Sequence, residues 1–195
     1  MPSPESAPIL CLASASPRRR ELLVQLGVPH LVRAAHVDES VRAGERAAEY
    51  VVRMARAKAL AVQAQDSSLP VLAADTTVVV DGRIHGKPAD EAEAVAMLLE
   101  LSGRSHEVLT AVALAVSGEV AVRSSASEVR LRTVTRAECV AYWRTGEPRD
   151  KAGGYAVQGR GAVFIEHLSG SYSGVVGLPL AETASLLARA GVRLL

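Results

Sequence analysis

The segment Ser14-Ala-Ser-Pro-Arg-Arg-Arg20, directly after the apolar run of residues 9–13, most constrains how this chain can fold. The apolar run predicts a buried strand, and Ser16 followed by Pro17 is typical of a helix N-cap and first helical position. Three arginines then fall in the first turn, beside the positive end of the helix dipole, where cations are unfavourable. Together with free backbone N–H groups they can hold a phosphate or another oxyanion, and the alternative is that they are solvated surface residues.

Strand and helix signals alternate along the rest of the chain, which predicts an α/β fold with a mixed, twisted sheet flanked by helices. After the first strand, strand-like runs cover residues 31–35, 71–80, 108–116, 120–134 and 162–168, and helical patterns cover residues 18–27, 45–65, 91–101, 135–146 and 180–190. Asp81-Gly82 predicts a hairpin turn, and Asp90 and Thr135 predict helix caps. We expect a flexible tail over residues 1–8 and one domain over residues 9–195.

Composition excludes several classes of protein. The net charge of +1 argues against a general attraction to nucleic acid or membrane, and six aromatic residues offer no platform for stacking bases. Cys11 and Cys139 lie among apolar neighbours and predict buried thiols in a reducing compartment. The first eight residues lack the pattern of a signal peptide, and no apolar run reaches membrane-spanning length, so we expect a cytoplasmic protein.

Asp75 interrupts an apolar β run, and burying a lone carboxylate would be very unfavourable. One interpretation is a bulge or strand end in which Asp75 makes an Asx turn. The other is a carboxylate at a cleft that activates water or binds a divalent cation. Glu39, in an acidic loop, is a possible second carboxylate, although such residues are usually only solvated.

Lys58 and Lys87 could supply further positive charge. Lys58 lies on the apolar face of the predicted helix 45–65, where a lysine usually extends its ammonium to solvent. Lys87 sits in the rigid turn Gly86-Lys87-Pro88, which could direct it at a phosphate or merely cap a loop. This turn is not a P-loop, because Pro88 stands where a serine or threonine would bind magnesium, and the five histidines show no metal-ligand spacing.

A series of short motifs, in order along nearly the whole chain, resembles the Maf family of nucleoside triphosphate pyrophosphatases. Each motif is short, and their joint occurrence is what makes the resemblance specific. The motifs are Leu12-Ala-Ser-Ala-Ser-Pro-Arg-Arg19, Asp38-Glu39, Ala57-Lys58-Ala59, Ala74-Asp75-Thr76, Gly86-Lys87-Pro88, Ser102-Gly103-Arg104, Asp150-Lys151-Ala-Gly153, Tyr155, Gln158-Gly159 and Val176-Gly-Leu-Pro-Leu180.

The resemblance implies an enzyme that cleaves a nucleotide between its α and β phosphates with help from a divalent cation, Mg²⁺ or Mn²⁺. It implies an elongated two-lobed fold with a central cleft, similar to that of the inosine triphosphatases, and a possible homodimer. The implied roles are catalysis by Asp75 as proton acceptor, metal binding by Glu39 and Asp75, and phosphate binding by Ser14, Arg19, Lys58 and Lys87.

Three positions are similar to the dTTP/UTP pyrophosphatase subfamily: Arg18, Thr76 and Gln158. An amide such as Gln158 presents both a donor and an acceptor to a pyrimidine edge. The resemblance implies hydrolysis of dTTP and UTP, with CTP and modified pyrimidine nucleotides as further substrates, and a role in nucleotide-pool cleansing or cell-division arrest. The alternative is a regulator of septum formation that binds nucleotides without turnover, but such a sensor would not need the base that Asp75 supplies.

Overall fold

The computed structural model describes residues 7–66 and 68–194, and it confirms the predicted α/β class: a mixed sheet of seven strands flanked by helices. The strands are β1 Leu10–Ala13, β2 His30–Arg33, β3 Val71–Val80, β4 Arg83–His85, β5 Ser105–Val116, β6 Glu119–Leu131 and β7 Ile165–Ser169. The helices are α1 Pro17–Gln25, α2 Ala47–Gln63, α3 Glu91–Leu101, α4 Arg136–Arg144, α5 Tyr172–Val176 and α6 Leu180–Arg189. Of the predicted tail, residues 1–6 lie outside the described residues.

The sheet combines a parallel half and an antiparallel half. Its strand order is β2-β1-β3-β5-β6-β7, and β4 also pairs with β3. Strand β1 runs parallel to both β2 and β3, whereas β3, β5, β6 and β7 pair antiparallel in succession. The change from parallel to antiparallel pairing therefore occurs at β3, the strand that carries Asp75.

One edge of β3 is interrupted in its middle. Strand β1 pairs there with Val71 and Leu72, and β4 pairs with Val78, Val79 and Val80. In the described part of the chain, no strand pairs with that edge across residues 73–77. Since sheet edges where the strand order changes are common ligand sites, this gap is the place in the fold best suited to a binding cleft.

Successive side chains of β3 point to opposite faces of the sheet, because a strand has a period of two residues. Val71 and Ala73 pack against α2, in a cluster that includes Met54, and Leu72 and Ala74 pack against α1 and α6. Helices α3 and α4 cover the far end of β3. The same alternation directs Asp75 toward α2 and Thr76 toward α1.

Several local sequence signals are confirmed. Asp81 and Gly82 form the turn between β3 and β4 with φ of 49° and 75°, the positive values that a two-residue hairpin turn requires. The side chains of Asp90 and Thr135 accept backbone N–H groups at the starts of α3 and α4. Ser16 occupies the N-cap position of α1, but its side chain makes no capping hydrogen bond.

The predicted strand over residues 162–168 is wrong in its first half. Residues Gly159–Phe164 form a 3₁₀ helix, and strand β7 begins only at Ile165. The reason is non-local: the Glu147 carboxylate accepts the backbone N–H groups of Arg160 and Gly161, which holds this segment out of the sheet. The short helix α5 carries no apolar periodicity and was not predicted.

Cys11 and Cys139 are buried free thiols, as predicted. Burial raises the pKa of each. Of the helices in residues 7–66 and 68–194, none combines the length and apolar character that crossing a membrane requires.

Candidate active site

A cavity of about 600 Å³ opens at the gap in the β3 edge. All nine residues singled out from the sequence line it, although they come from six separate segments. They are Ser14, Arg18 and Arg19 at the end of β1 and the start of α1, Glu39 before α2, Lys58 on α2, Asp75 and Thr76 on β3, Lys87 after β4, and Gln158 before the 3₁₀ helix.

Lys58 binds two carboxylates at the floor of this cavity. Its Nζ donates to Asp75 Oδ1 at 2.7 Å and lies 2.8 Å from Glu39 Oε1. Asp75 is 6% exposed and Lys58 is 8% exposed. Lys58 therefore does not extend to solvent, as its position on an apolar helix face would allow, but neutralises a buried anion.

Asp75 is not at a bulge or a strand end, so the structure contradicts that interpretation of the sequence. It lies within β3 in regular register opposite Ala111. Burial raises its pKa, and the cations Lys58 and Arg19 act in the opposite direction without cancelling the effect. For Glu39, burial is outweighed by the hydrogen bond and charge of Lys58, so its pKa is lowered.

Arg19 is fixed by three acceptors. Its Nε donates to the carbonyl oxygen of Gly177 at 2.8 Å, and its two terminal nitrogens donate to Ser14 Oγ at 3.3 Å and Thr76 Oγ1 at 3.2 Å. Burial lowers the pKa of the guanidinium, and the charge of Asp75 opposes that shift. Three of its five N–H donors are used, which leaves two for an anion in the cavity.

Thr110 on β5 supports this arrangement, and sequence reasoning missed it. Its hydroxyl lies 2.8 Å from the carbonyl oxygen of Gly174 and 3.0 Å from Thr76 Oγ1. A hydroxyl has one hydrogen, so when Thr110 donates to the carbonyl, Thr76 donates to Thr110 and accepts from Arg19. A lone threonine inside the apolar run of residues 108–116 was the available signal.

Asp150 and Lys151 also line the cavity, although no role was assigned to them from the sequence. Arg18 forms an ion pair with Asp150, with 2.9 Å between a guanidinium nitrogen and Oδ2, and Lys151 Nζ donates to Asp150 Oδ1 at 2.7 Å. This contact joins the first turn of α1 to the segment before Tyr155. The adjacent opposite charges of Asp150 and Lys151 were the signal in the sequence.

Lys87 and Gln158 line the cavity with side chains that make no ion pair or side-chain hydrogen bond within the described ranges. Lys87 is exposed and Gln158 is half-buried. Arg20, by contrast, is exposed and does not line the cavity. Of the three arginines, this one is therefore a solvated surface residue. The cavity therefore holds the cations Arg18, Arg19, Lys58, Lys87 and Lys151 beside the anions Glu39, Asp75 and Asp150.

The carboxylates in the cavity could hold a hard divalent cation only if a bound molecule supplied further oxygen atoms. Within residues 7–66 and 68–194, no three His, Cys, Asp or Glu side chains come close enough together to hold a metal ion. Glu39 and Asp75 do bring two carboxylates to one ammonium, and oxygen ligands are those that Mg²⁺ prefers. The two residues fit a cation whose remaining ligands come from a bound molecule.

The family model described as Maf-like protein matches residues 9–190. A dTTP/UTP pyrophosphatase of Saccharophagus degradans is 53% identical over 182 residues, which is 91% of this chain and 87% of the relative. Proteins of the same name from Methylobacillus flagellatus and Bordetella parapertussis are 53% and 52% identical, covering 93% and 95% of this chain and 92% and 94% of their own lengths.

Among solved structures, the Staphylococcus aureus Ham1 protein is 17% identical to this chain, with a TM-score of 0.47, covering 63% of this chain and 71% of its own. The family match spans every described helix and strand, from the residue before β1 to the residue after α6. The resemblance predicted from the motifs is thereby confirmed, and this chain belongs to the Maf family.

Proposed function

We propose that this chain hydrolyses dTTP and UTP to the nucleoside monophosphate and pyrophosphate. The observation that carries the proposal is the convergence of a buried carboxylate, Asp75, with a set of cations in one cavity. The names of the relatives, which are at least half identical over most of the chain, supply the substrates. CTP and modified pyrimidine nucleotides are further substrates in this proposal, and removal of such nucleotides from the pool, or an arrest of cell division, is its cellular role.

In this mechanism Ser14, Arg19, Lys58 and Lys87 bind the triphosphate. Ser14 can donate a hydrogen bond from its hydroxyl, and the charges of Arg19, Lys58 and Lys87 attract the anion and stabilise the negative charge that develops on the leaving pyrophosphate. Arg19 is already held by three acceptors, so its guanidinium does not have to reorganise when the substrate arrives. Positioning and electrostatics of this kind supply most of the rate enhancement in phosphoryl transfer.

Asp75 accepts the proton of the attacking water. Lys58 binds Oδ1, and in the described part of the chain Oδ2 accepts no hydrogen bond, so Oδ2 is the atom free to act as base. The raised pKa makes this carboxylate a stronger base than an ordinary aspartate. Glu39 and Asp75 would hold Mg²⁺ or Mn²⁺ together with the phosphates, and that ion would withdraw charge from the reacting phosphorus.

Base selection is assigned to Arg18, Thr76 and Gln158. The amide of Gln158 offers a donor and an acceptor to the pyrimidine edge. Arg18 and Thr76 line the same cavity; Arg18 is held by Asp150, and Thr76 is held by Arg19.

We further propose that the protein acts in the cytoplasm, where buried thiols stay reduced, and that it forms a homodimer.

The deciding experiment measures pyrophosphate release from dTTP, UTP, CTP, ATP, GTP and 7-methyl-GTP, with Mg²⁺, with Mn²⁺ and with a chelator. We expect turnover of dTTP and UTP with about ten- to a hundredfold preference over the purine nucleotides. The Asp75→Asn variant, purified identically, reports contaminating activity. Tight nucleotide binding without turnover by the wild type would instead support the regulator, and a preference for 7-methyl-GTP would overturn the assignment of substrate.

A further inference from the structure

A hydrogen-bonded pair lies behind the loop that carries Gln158. Tyr142 on α4 donates its phenol hydrogen to Glu147 Oε1 at 2.7 Å. The same phenol oxygen accepts the backbone N–H of Ala156 at 3.1 Å. Tyr142 therefore fixes the backbone two residues before Gln158.

The carboxylate of Glu147 fixes the backbone on the other side of Gln158. Its Oε2 accepts the N–H of Arg160 at 2.9 Å, and its Oε1 accepts the N–H of Gly161 at 2.9 Å. We call the two side chains the Tyr142–Glu147 clamp. The clamp thus holds three backbone N–H groups within three residues of Gln158.

Two glycines let the clamp approach the loop this closely. A Cβ at Gly159, where φ is +78°, would lie 2.6 Å from Glu147 Oε2. A Cβ at Gly161 would lie 2.5 Å from the phenol oxygen of Tyr142. Both distances are far below an ordinary van der Waals contact, so any larger residue would displace the clamp.

The charge state and packing of the clamp are well defined. Burial of Glu147 is outweighed by the hydrogen bonds from Tyr142, Gly161 and Arg160, so the pKa of its carboxyl is lowered and it accepts rather than donates. Burial and the contact with Glu147 raise the pKa of Tyr142, which keeps its hydrogen as the donor. The Tyr142 ring packs edge-on against Phe164 with centroids 5.1 Å apart.

We propose that Tyr142 and Glu147 are positioning residues that set base selection by fixing the loop of Gln158. Neither residue lines the cavity, whereas Gln158 does. Within residues 7–66 and 68–194, the Gln158 amide has no side-chain hydrogen bond of its own, so its place depends on the backbone that the clamp holds. This inference rests on the proposed function.

The experiment compares the kcat/KM ratio of dTTP to GTP in the wild type, Tyr142→Phe, Glu147→Gln, Gln158→Ala and the double variant Tyr142→Phe/Gln158→Ala. The ratio does not depend on the fraction of folded enzyme, so a merely structural role would leave it unchanged. Tyr142→Phe keeps the ring and removes only the hydroxyl. Tyr172→Phe is the matched control, because Tyr172 is half exposed and lies outside the cavity.

We expect Tyr142→Phe and Glu147→Gln each to lower the ratio about fivefold, as the loss of one well-placed hydrogen bond would. Tyr172→Phe should keep the wild-type ratio. The double variant should match Gln158→Ala, because the clamp acts only through Gln158. An unchanged ratio in both clamp variants, or multiplicative effects in the double variant, would overturn the inference.

Failure of the proposed function has a different signature. In that case the wild type itself would release no pyrophosphate from any nucleotide. The same variants would then be compared by the ratio of the dissociation constants of dTTP and GTP, with the same expected order and the same refuting outcomes.

Discussion

Lys58 Nζ lies between two carboxylates, 2.7 Å from Asp75 Oδ1 and 2.8 Å from Glu39 Oε1. The two acids differ in environment, since the Asp75 side chain is 8% exposed and that of Glu39 is 49% exposed. One ammonium thus compensates a buried charge and links it to the cavity rim. This contact ties α2 to β3, and in the described part of the chain it leaves Asp75 Oδ2 without a hydrogen bond.

Asp75→Asn should lower kcat by a hundredfold or more, in the range typical for loss of a general base (about 10²–10⁴). The amide keeps the shape of the side chain but loses its basicity. Pyrophosphate release with dTTP measures the effect. Asp81→Asn is the matched control, because Asp81 is exposed, pairs with Arg104 on the surface and should keep normal turnover. Near-normal kcat in Asp75→Asn would refute the catalytic assignment.

The pKa of Asp75 predicts how stability depends on pH. Because the native pKa is raised above the ordinary 3.8, the folded state binds the proton more tightly than the unfolded state does. The stabilising contribution is complete below pH 3.8 and is lost as pH rises through the native pKa. In Asp75→Asn, Lys58 retains its ion pair with Glu39. This substitution should therefore raise Tm at pH 7, and the gain in Tm should vanish near pH 4.

The Asp81→Asn control should show the opposite sign in the same thermal scans. The hydrogen bond from Arg104 lowers the pKa of Asp81, so its contribution is present at neutral pH and is lost as pH falls through the native pKa. The same Asp75 shift predicts that the Asp75 carboxyl of the metal-free wild type, followed by an NMR pH titration, has a midpoint above 3.8. A midpoint at or below that value would contradict the raised pKa.

Lys58→Met should destabilise the protein by about 3–5 kcal/mol, because it leaves Asp75 as a buried charge without its closest cation. Adding Asp75→Asn should recover much of that loss, since the buried charge is then gone. Urea unfolding of the wild type, both single variants and the double variant measures the coupling. Strictly additive effects would mean that the Lys58–Asp75 contact carries no net interaction energy.

Arg19→Ala should lower kcat/KM for every nucleotide by about tenfold or more, because a charge-assisted contact to the phosphates is lost. A fall in kcat as well would show that the charge acts on the transition state, whereas a rise in KM alone would show binding only. The neighbouring Arg20→Ala is the control, since Arg20 is exposed and outside the cavity. Equal kinetics in the two variants would remove Arg19 from the phosphate site.

Gln158→Glu should erode the preference for dTTP over GTP by about tenfold while changing kcat for dTTP far less. The substitution replaces an N–H donor with an acceptor, which alters the hydrogen bonds to the nucleobase and leaves the reacting phosphates untouched. Gln65→Glu, at an exposed position after α2, adds the same charge elsewhere. Equal losses of kcat/KM for all nucleotides would place Gln158 in the catalytic scaffold.

The sequence determined the elements whose signals are local. Pro17 begins α1, Asp81 and Gly82 form the hairpin turn, and Asp90 and Thr135 cap their helices as predicted. Capping and turn chemistry depend on a few adjacent residues, so they can be recognised without knowledge of the fold. All nine residues that the motif series predicts for the site line the cavity.

The tertiary structure decided what long-range contacts control. Residues 162–164 carry a strand-like pattern, yet they belong to a 3₁₀ helix. The Glu147 carboxylate holds the start of that helix by accepting the backbone N–H of Arg160. Asp75 could have been a strand end, and only the pairing of β3 with β5 and the position of Lys58 show it as a buried ion pair. The break in the β3 edge arises because β1 and β4 pair with opposite ends of that edge, and neither strand reaches residues 73–77. No local pattern encodes that gap, and it is what turns nine scattered residues into one cavity.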